Sequence, residues 1–271
     1  MRGDDSHKSS ASGNAMNVKA LFFDVFGTLV DFRTGVAREA ERILGAAGHK
    51  LDWGAFADAW RKEYQPALEE VRAGRTAFRK LDVLHRENLD RILPRFGVSG
   101  LAEDAARNLN LAWHRLPAWP DVPDGLVRLK RRFLLAPVSN GNISLMVDLA
   151  RRNNFPWDAI LGAEIAGDYK PKPRLYLGAC EAFDLPPGDC MMVAAHTNDL
   201  LHAAKCGLRT AHVARPNEHG RASGKPLPRR RSTPRRRACR IWPPSSAREA
   251  DTPSVLEFRI GEGGTVALGR G

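Results

Sequence analysis

Six polar residues stand where apolar stretches of the chain give way to turns: Asp24 with Thr28, Ser139 with Asn140, Lys170, and Asp199. Asp24 closes the run Ala20-Leu21-Phe22-Phe23 and is followed by the turn Gly27-Thr28. A carboxylate in that position is a candidate nucleophile if it stays ionised. A lysine ammonium with Ser, Thr and backbone donors around it would keep it ionised and hold it still. Asp199 could then bind a metal, or activate water for a second step.

For these residues to act together, the elements carrying them must end at one place. KALFFDVFGTLVD has the short Phe/Val-rich run, ending on an acid, of a buried parallel strand, here Ala20 to Asp24. After WPDVPDG the chain alternates. GLVRLKRR reads as a helix, FLLAPVSN as a strand, ISLMVDLARRN as a helix, and AILGAEIA as a short strand. PRLYLGACEAF then reads as a helix, CMMVAA as a strand, NDLLHAAKCG as a helix and RTAHVA as a last strand. Such alternation with short loops predicts a Rossmann-like, doubly wound parallel sheet. Ligands of open parallel sheets bind beyond the carboxyl ends of the strands, where all six residues stand.

Between Thr34 and about His114 the periodicity is helical, punctuated by Gly45, Gly48, Gly74, Gly97 and Gly100, with Asp52 as an N-cap. The reading is therefore an α/β fold with an inserted helical cap domain. The core spans 16–32 and 119–215, the cap 33–118. Residues 1–15 are polar and predict a disordered extension. From 216 to 271 the chain is basic, rich in Arg, Pro and Ser, and predicts a disordered tail, with LEFRI and TVALG as weak strand signals left uncounted.

The net charge of +11 belongs mainly to that tail: residues 221–271 hold twelve Lys and Arg against four Asp and Glu. Arg229 to Arg231 and Arg235 to Arg237 could touch a polyanion, but no aromatic platform accompanies them, which argues against nucleic acid as the main partner. No run approaches the about 18 apolar residues of a membrane span. Cys180, Cys190, Cys206 and Cys239 lack the spacing of a zinc site or disulfide framework, so inert thiols in a cytoplasmic protein are expected.

At the chemistry-bearing positions the sequence resembles the haloacid dehalogenase-like superfamily. Asp24-Val25-Phe26-Gly27-Thr28-Leu29 is similar to its first motif, Ser139-Asn140-Gly141-Asn142 to the second, Lys170 to the third and Asp199 to the fourth. The match runs in family order from residue 19 to about 215. Phosphatases of the superfamily carry a second Asp where this chain has Phe26, and phenylalanine cannot protonate a leaving alcohol. Halide needs no such acid, so the resemblance points to the 2-haloacid dehalogenase branch. That branch implies a covalent aspartyl intermediate on Asp24, a short 2-haloalkanoic acid as substrate, no metal or other cofactor, and compatibility with a homodimer.

The resemblance also implies a cap arginine that grips the departing halide or the substrate carboxylate. Arg61 in Trp60-Arg61-Lys62-Glu63-Tyr64 matches it, and Tyr176, six positions after Lys170, matches a family tyrosine. The catalytic set is thus Asp24, Lys170, Asp199, Ser139 and Arg61. Phe26, Thr28, Asn140, Tyr176 and His196 are the substrate-binding set. Many dehalogenases have Ser-Ser-Asn before the fourth-motif Asp, whereas this chain reads Ala194-Ala195-His196-Thr197-Asn198, leaving His196 to orient water or substrate. Two alternatives stand beside this reading: a magnesium-dependent phosphatase or other hydrolase of the same superfamily, and an inactive protein with a polyanion-binding tail.

Overall fold

The first buried run forms a strand because every residue in it is apolar and alternate side chains enter opposite layers. Leu21 and Phe23 join the core on one face of the sheet, Ala20 and Phe22 the core on the other. The computed structural model describes residues 18–220, 256–260 and 265–270. In it β1 (Ala20–Phe23) lies between β2 (Leu134–Ser139) and β4 (Cys190–Ala194), parallel to both. With β3 (Leu161–Gly162) and β5 (Arg209–His212), the parallel order is β3-β2-β1-β4-β5. Strand order, not strand direction, reverses at β1, so the crevice for a ligand opens where β1 and β4 end.

Between β1 and β2 the chain is helical: α1 (Phe32–Ala40), α2 (Trp53–Lys62), α3 (Tyr64–Arg72), α4 (Leu81–Ile92) and α5 (Glu103–Asn110), then α6 (Val122–Lys130) leading into β2. Asp31 caps α1 through the Thr34 amide, and Asp52 caps α2 through Ala55, as expected for Asp52. The helical stretch between the Asp52 cap and Gly74 is divided at Glu63. Pro66 cannot donate to the Lys62 carbonyl, so the ladder must restart. Beyond β2 come α7 (Ile143–Asn153), α8 (Ala163–Ala166), α9 (Pro173–Glu181) and α10 (Thr197–Lys205).

AILGAEIA is a strand only at Leu161–Gly162 and turns into α8 at Ala163, which corrects the expected longer strand. Gly162 takes φ +115, and a Cβ there would lie 2.3 Å from the Ser139 carbonyl oxygen, so only glycine lets β3 approach β2 and then bend. The tail expectation also changes. Residues 216–220 form an ordered turn, and the two weak strand signals become β6 (Leu256–Ile260) and β7 (Thr265–Arg270), with β7 parallel to β5 and antiparallel to β6. Their alternating apolar residues fit strand periodicity. The expected extension at 1–15, the Arg runs and Cys239 lie outside the described residues. Among those described, no helix is long and apolar enough to cross a membrane.

The helical layer is joined to the sheet by packing and by a polar seam. His114 binds Asp82 of α4 at 3.0 Å and Asp148 of α7 at 2.8 Å, and Asn142 donates to the same Asp82 at 2.8 Å. Burial lowers the pKa of His114, but the two carboxylates more than offset it, so the imidazolium is favoured. Its stabilising contribution is complete below the ordinary histidine pKa of about 6.5 and is lost as pH rises beyond it. H114A should therefore reduce the fall in stability that the wild type shows above about pH 6.5. Thermal melts across that range measure it, and parallel curves for the two proteins would refute the assignment.

Candidate active site

Asp24 follows β1 directly, its amide bonded to the Val193 carbonyl of β4, so its side chain enters the crevice with little freedom. The turn behind it needs Gly27: φ is +80, and a Cβ there would come within 2.2 Å of Glu218. Thr28 donates its hydroxyl to Asp24 Oδ2 at 2.8 Å while the Ala195 amide donates to Thr28 at 2.9 Å, which aims the hydroxyl proton at the carboxylate. His196 Nδ1 lies 2.8 Å from the same oxygen. Oδ1 has a longer contact, 3.3 Å from Lys170 Nζ, and is the freer of the two.

Lys170 is shared between two buried carboxylates, with Asp199 Oδ2 at 2.6 Å. Tyr176 donates to the other oxygen of Asp199 at 2.6 Å, so both Asp199 oxygens are engaged. Burial alone would push the Asp24 carboxyl up; Lys170 and His196 reverse this and hold it well below the usual carboxylate range. For Lys170, burial favours the neutral amine, and Asp199 and Asp24 outweigh it, so the ammonium persists. Asp199 is raised, by burial first and by the nearby Asp24 charge. The ionised Asp24 carboxylate is thus maintained by its neighbours.

His196 is braced on its far side by Glu218, whose Oε1 lies 2.7 Å from Nε2. Burial disfavours the imidazolium, yet Asp24 and Glu218 together push the pKa up to about 10. The cap reaches the same place through Tyr64, which accepts from Asn140 Nδ2 at 2.9 Å, and through Arg72, which donates to the Lys170 carbonyl at 2.8 Å. Asn140 in turn accepts from the Lys170 amide at 2.8 Å. The guanidinium of Arg61 lies over the rings of Tyr64 at 4.0 Å and Phe32 at 4.9 Å, and its Nη1 is buried with no hydrogen-bond partner. These groups border a cleft of about 730 Å³.

Of the residues predicted from sequence, Asp24, Phe26, Arg61, Asn140, Lys170, Tyr176, His196 and Asp199 line the cleft. Thr28 and Ser139 are fully buried and do not line it. Thr28 acts on the carboxylate itself, and Ser139 accepts from the Gly141 amide at 3.1 Å, shaping the second-motif loop. Glu218 was absent from the predicted set because it falls beyond Pro216, where periodicity fails. Its signal is its place just past the carboxyl end of β5. Among the described residues no three His, Cys, Asp or Glu side chains gather as a metal-holding group, and the two carboxylates nearest that role share Lys170.

A family model for haloacid dehalogenase-like hydrolases matches residues 18–207. The chain belongs to this family. It is 30% identical over 205 residues to (S)-2-haloacid dehalogenase 1 of Pseudomonas sp. (strain CBS-3), covering 74% of this chain and 86% of that one. A solved defluorinating L-2-haloacid dehalogenase shares 42% identity, with a TM-score of 0.74 over 75% of this chain and 84% of its own. A second solved L-2-haloacid dehalogenase shares 43% identity, with a TM-score of 0.73 over 75% and 87%. Family membership fits a fold in which the chemistry sits at the strand ends and the inserted helices close over it.

K170M leaves Asp24 and Asp199 buried with no ammonium between them, and a stability loss of about 3–5 kcal/mol is expected near neutral pH. The deficit should shrink toward about pH 4.5, where the mutant can fold with a protonated carboxyl, while the wild type keeps the advantage of its depressed Asp24 until pH falls below the ordinary carboxylate value of 3.8. Urea titrations at both pH values test this. A deficit that does not change with pH would contradict it.

Proposed function

We propose that the chain hydrolyses short 2-haloalkanoic acids to 2-hydroxy acids and halide through an ester on Asp24, with residues 33–118 serving as the cap over a core of 16–32 and 119–215. The observation that carries this reading is the pairing of an ionised Asp24 with Phe26 two positions on. Phe26 is buried edge-on against Trp113, with ring centroids 5.8 Å apart, and has no proton to give a leaving alcohol. A halide leaves as a stable anion and needs none. The names of the three dehalogenases described above agree with this reading.

In the first step Oδ1 of Asp24, the less restrained oxygen, attacks the halogen-bearing carbon from the rear. The carbon–oxygen bond forms as the carbon–halogen bond breaks, and the halogen departs with the bonding pair. Arg61 is the cation placed to receive an anion, since Lys170 and His196 are already held by carboxylates. Displacement from the rear inverts a stereocentre where the substrate has one.

Esterification removes the Asp24 charge, the partner that does most to keep His196 protonated. With that charge gone the imidazole can release its proton to solvent and take another from a water attacking the ester carbonyl carbon; the bond from that carbon to Oδ1 then breaks, and Oδ1 leaves as the product hydroxyl with the proton of the carboxyl that re-forms. Glu218 orients the ring. The Thr28 hydroxyl remains on Oδ2, where negative charge builds as the tetrahedral intermediate forms. Asp199, with both oxygens engaged, holds Lys170 in place.

A single turnover in heavy-oxygen water should place label in Asp24 before product, and label entering product directly would refute the ester. Halide release from 2-chloropropionate in EDTA should exceed phosphate release from a generic phosphate ester with magnesium. Activity only in the second assay would transfer the protein to the phosphatase reading. H196Q should still release about one equivalent of halide per site in a burst, then stall as the ester, seen by mass spectrometry of the Asp24 peptide. Loss of the burst itself would place His196 in the first step instead.

A further inference from the structure

Helix α3 begins at Tyr64 and ends at Arg72, and both end residues reach from the cap to the core. The Tyr64 hydroxyl accepts from Asn140 Nδ2 at 2.9 Å, and Asn140 Oδ1 accepts from the Lys170 amide at 2.8 Å. At the other end, Arg72 Nη1 donates to the Lys170 carbonyl at 2.8 Å. The two ends lie about 12 Å apart along the axis, from the rise of an α-helix. Both routes nevertheless arrive at the main chain of one residue, the one whose ammonium stands between Asp24 and Asp199.

Arg72 is arranged to fix a position rather than to supply charge. Its Nε donates to Glu69 at 2.8 Å and both Nη atoms to the Gln65 side chain at 3.2 Å, so the guanidinium plane is set within α3 before it meets the core. The Arg72 side chain is 13% exposed and that of Glu69 54%, and an ion pair with one partner so open to water adds little stability. What the planar fork provides is direction, with a further donor aimed at one carbonyl oxygen. With its N–H and carbonyl both held, Lys170 has only its side-chain torsions to vary. Its contact with Asp24, at 3.3 Å against 2.6 Å to Asp199, is the one most readily lost if the loop shifts. A displacement of about 1 Å in a positioning group can slow a reaction a hundredfold.

We propose that α3 couples the seating of the cap to the reaction: Arg72 is a positioning residue that fixes the Lys170 main chain and through it holds the ammonium against Asp24. Arg72 borders the cleft but acts through Lys170, not on the reacting atoms. A displaced cap takes both ends of α3 with it, so the lysine is in place only when the cap is seated. The effect on turnover rests on the dehalogenase reading; the effect on Lys170 does not.

R72M removes every donor, R72K keeps the charge on one flexible ammonium, and E69Q removes the ion pair while leaving the bond to Lys170. Thermal melts show that each variant is folded. Single-turnover halide release from 2-chloropropionate should slow about tenfold or more in R72M, with apparent substrate affinity within about threefold of wild type. R72K should fall between, and E69Q should match the wild type. Y64F should also slow release, and Y64F/R72M should lose less than the product of the two single losses. Without any turnover, the buried Lys170 ammonium should give a slowly exchanging proton–nitrogen resonance, assigned through K170R, which R72M loses to fast exchange and E69Q keeps. Wild-type release and exchange in folded R72M, or an equal loss in E69Q, overturns the role, and R72K takes its place in that comparison if R72M does not fold. Losses that multiply in the double variant overturn the coupling through α3. Arg72-dependent exchange with no halide release from the wild type keeps the positioning and removes the dehalogenase reading instead.

Discussion

One ammonium between two buried carboxylates sets the terms for the rest of the molecule. Desolvating Asp24, Asp199 and Lys170 together is tolerable only if their geometry is fixed, because opposite charges in a medium of low polarity repay their lost hydration only at close range. The third-motif loop is accordingly held from several directions. Asn140 accepts from the Lys170 amide, Arg72 from the cap donates to its carbonyl, and Tyr169 next to it donates to the Arg79 carbonyl at 2.6 Å. The apolar sheet supplies rigidity in one direction and the helical layer in the other.

Much of this was legible from residue order alone. A short apolar run ending in an acid, repeated strand ends bearing Ser, Asn, Lys and Asp, and a helical interruption after the first strand are local signals, and each reflects a local physical need. The strand must bury both faces, and polar residues must appear where it leaves the core. Asp24, Lys170 and Asp199 were found this way, Arg61 and Tyr176 through the family resemblance, and the five meet in one cleft.

What was missed depended on contacts that sequence does not order. Glu218 lies in a stretch without periodicity, and its role comes only from the fold of the turn after β5 back over Gly27. Gly162 shows the same limit in the backbone, since the strand it ends looks continuous by composition.

The turn after β5 has a consequence for how the enzyme comes into being. Arg215 donates to the Thr28 carbonyl and to Asp121, each at 2.8 Å, and Glu218 braces His196 over the glycine that follows the nucleophile. The first strand to emerge from the ribosome therefore receives its last partners nearly two hundred residues later. A nascent chain can bury β1 and build its helices well before then, but its carboxylate lacks the ring and the bracing acid until Gly220 has emerged. Completion of the site is thus a late event in synthesis: Asp24 is made near the start, and the acid that braces the ring beside it is made nearly two hundred residues afterwards.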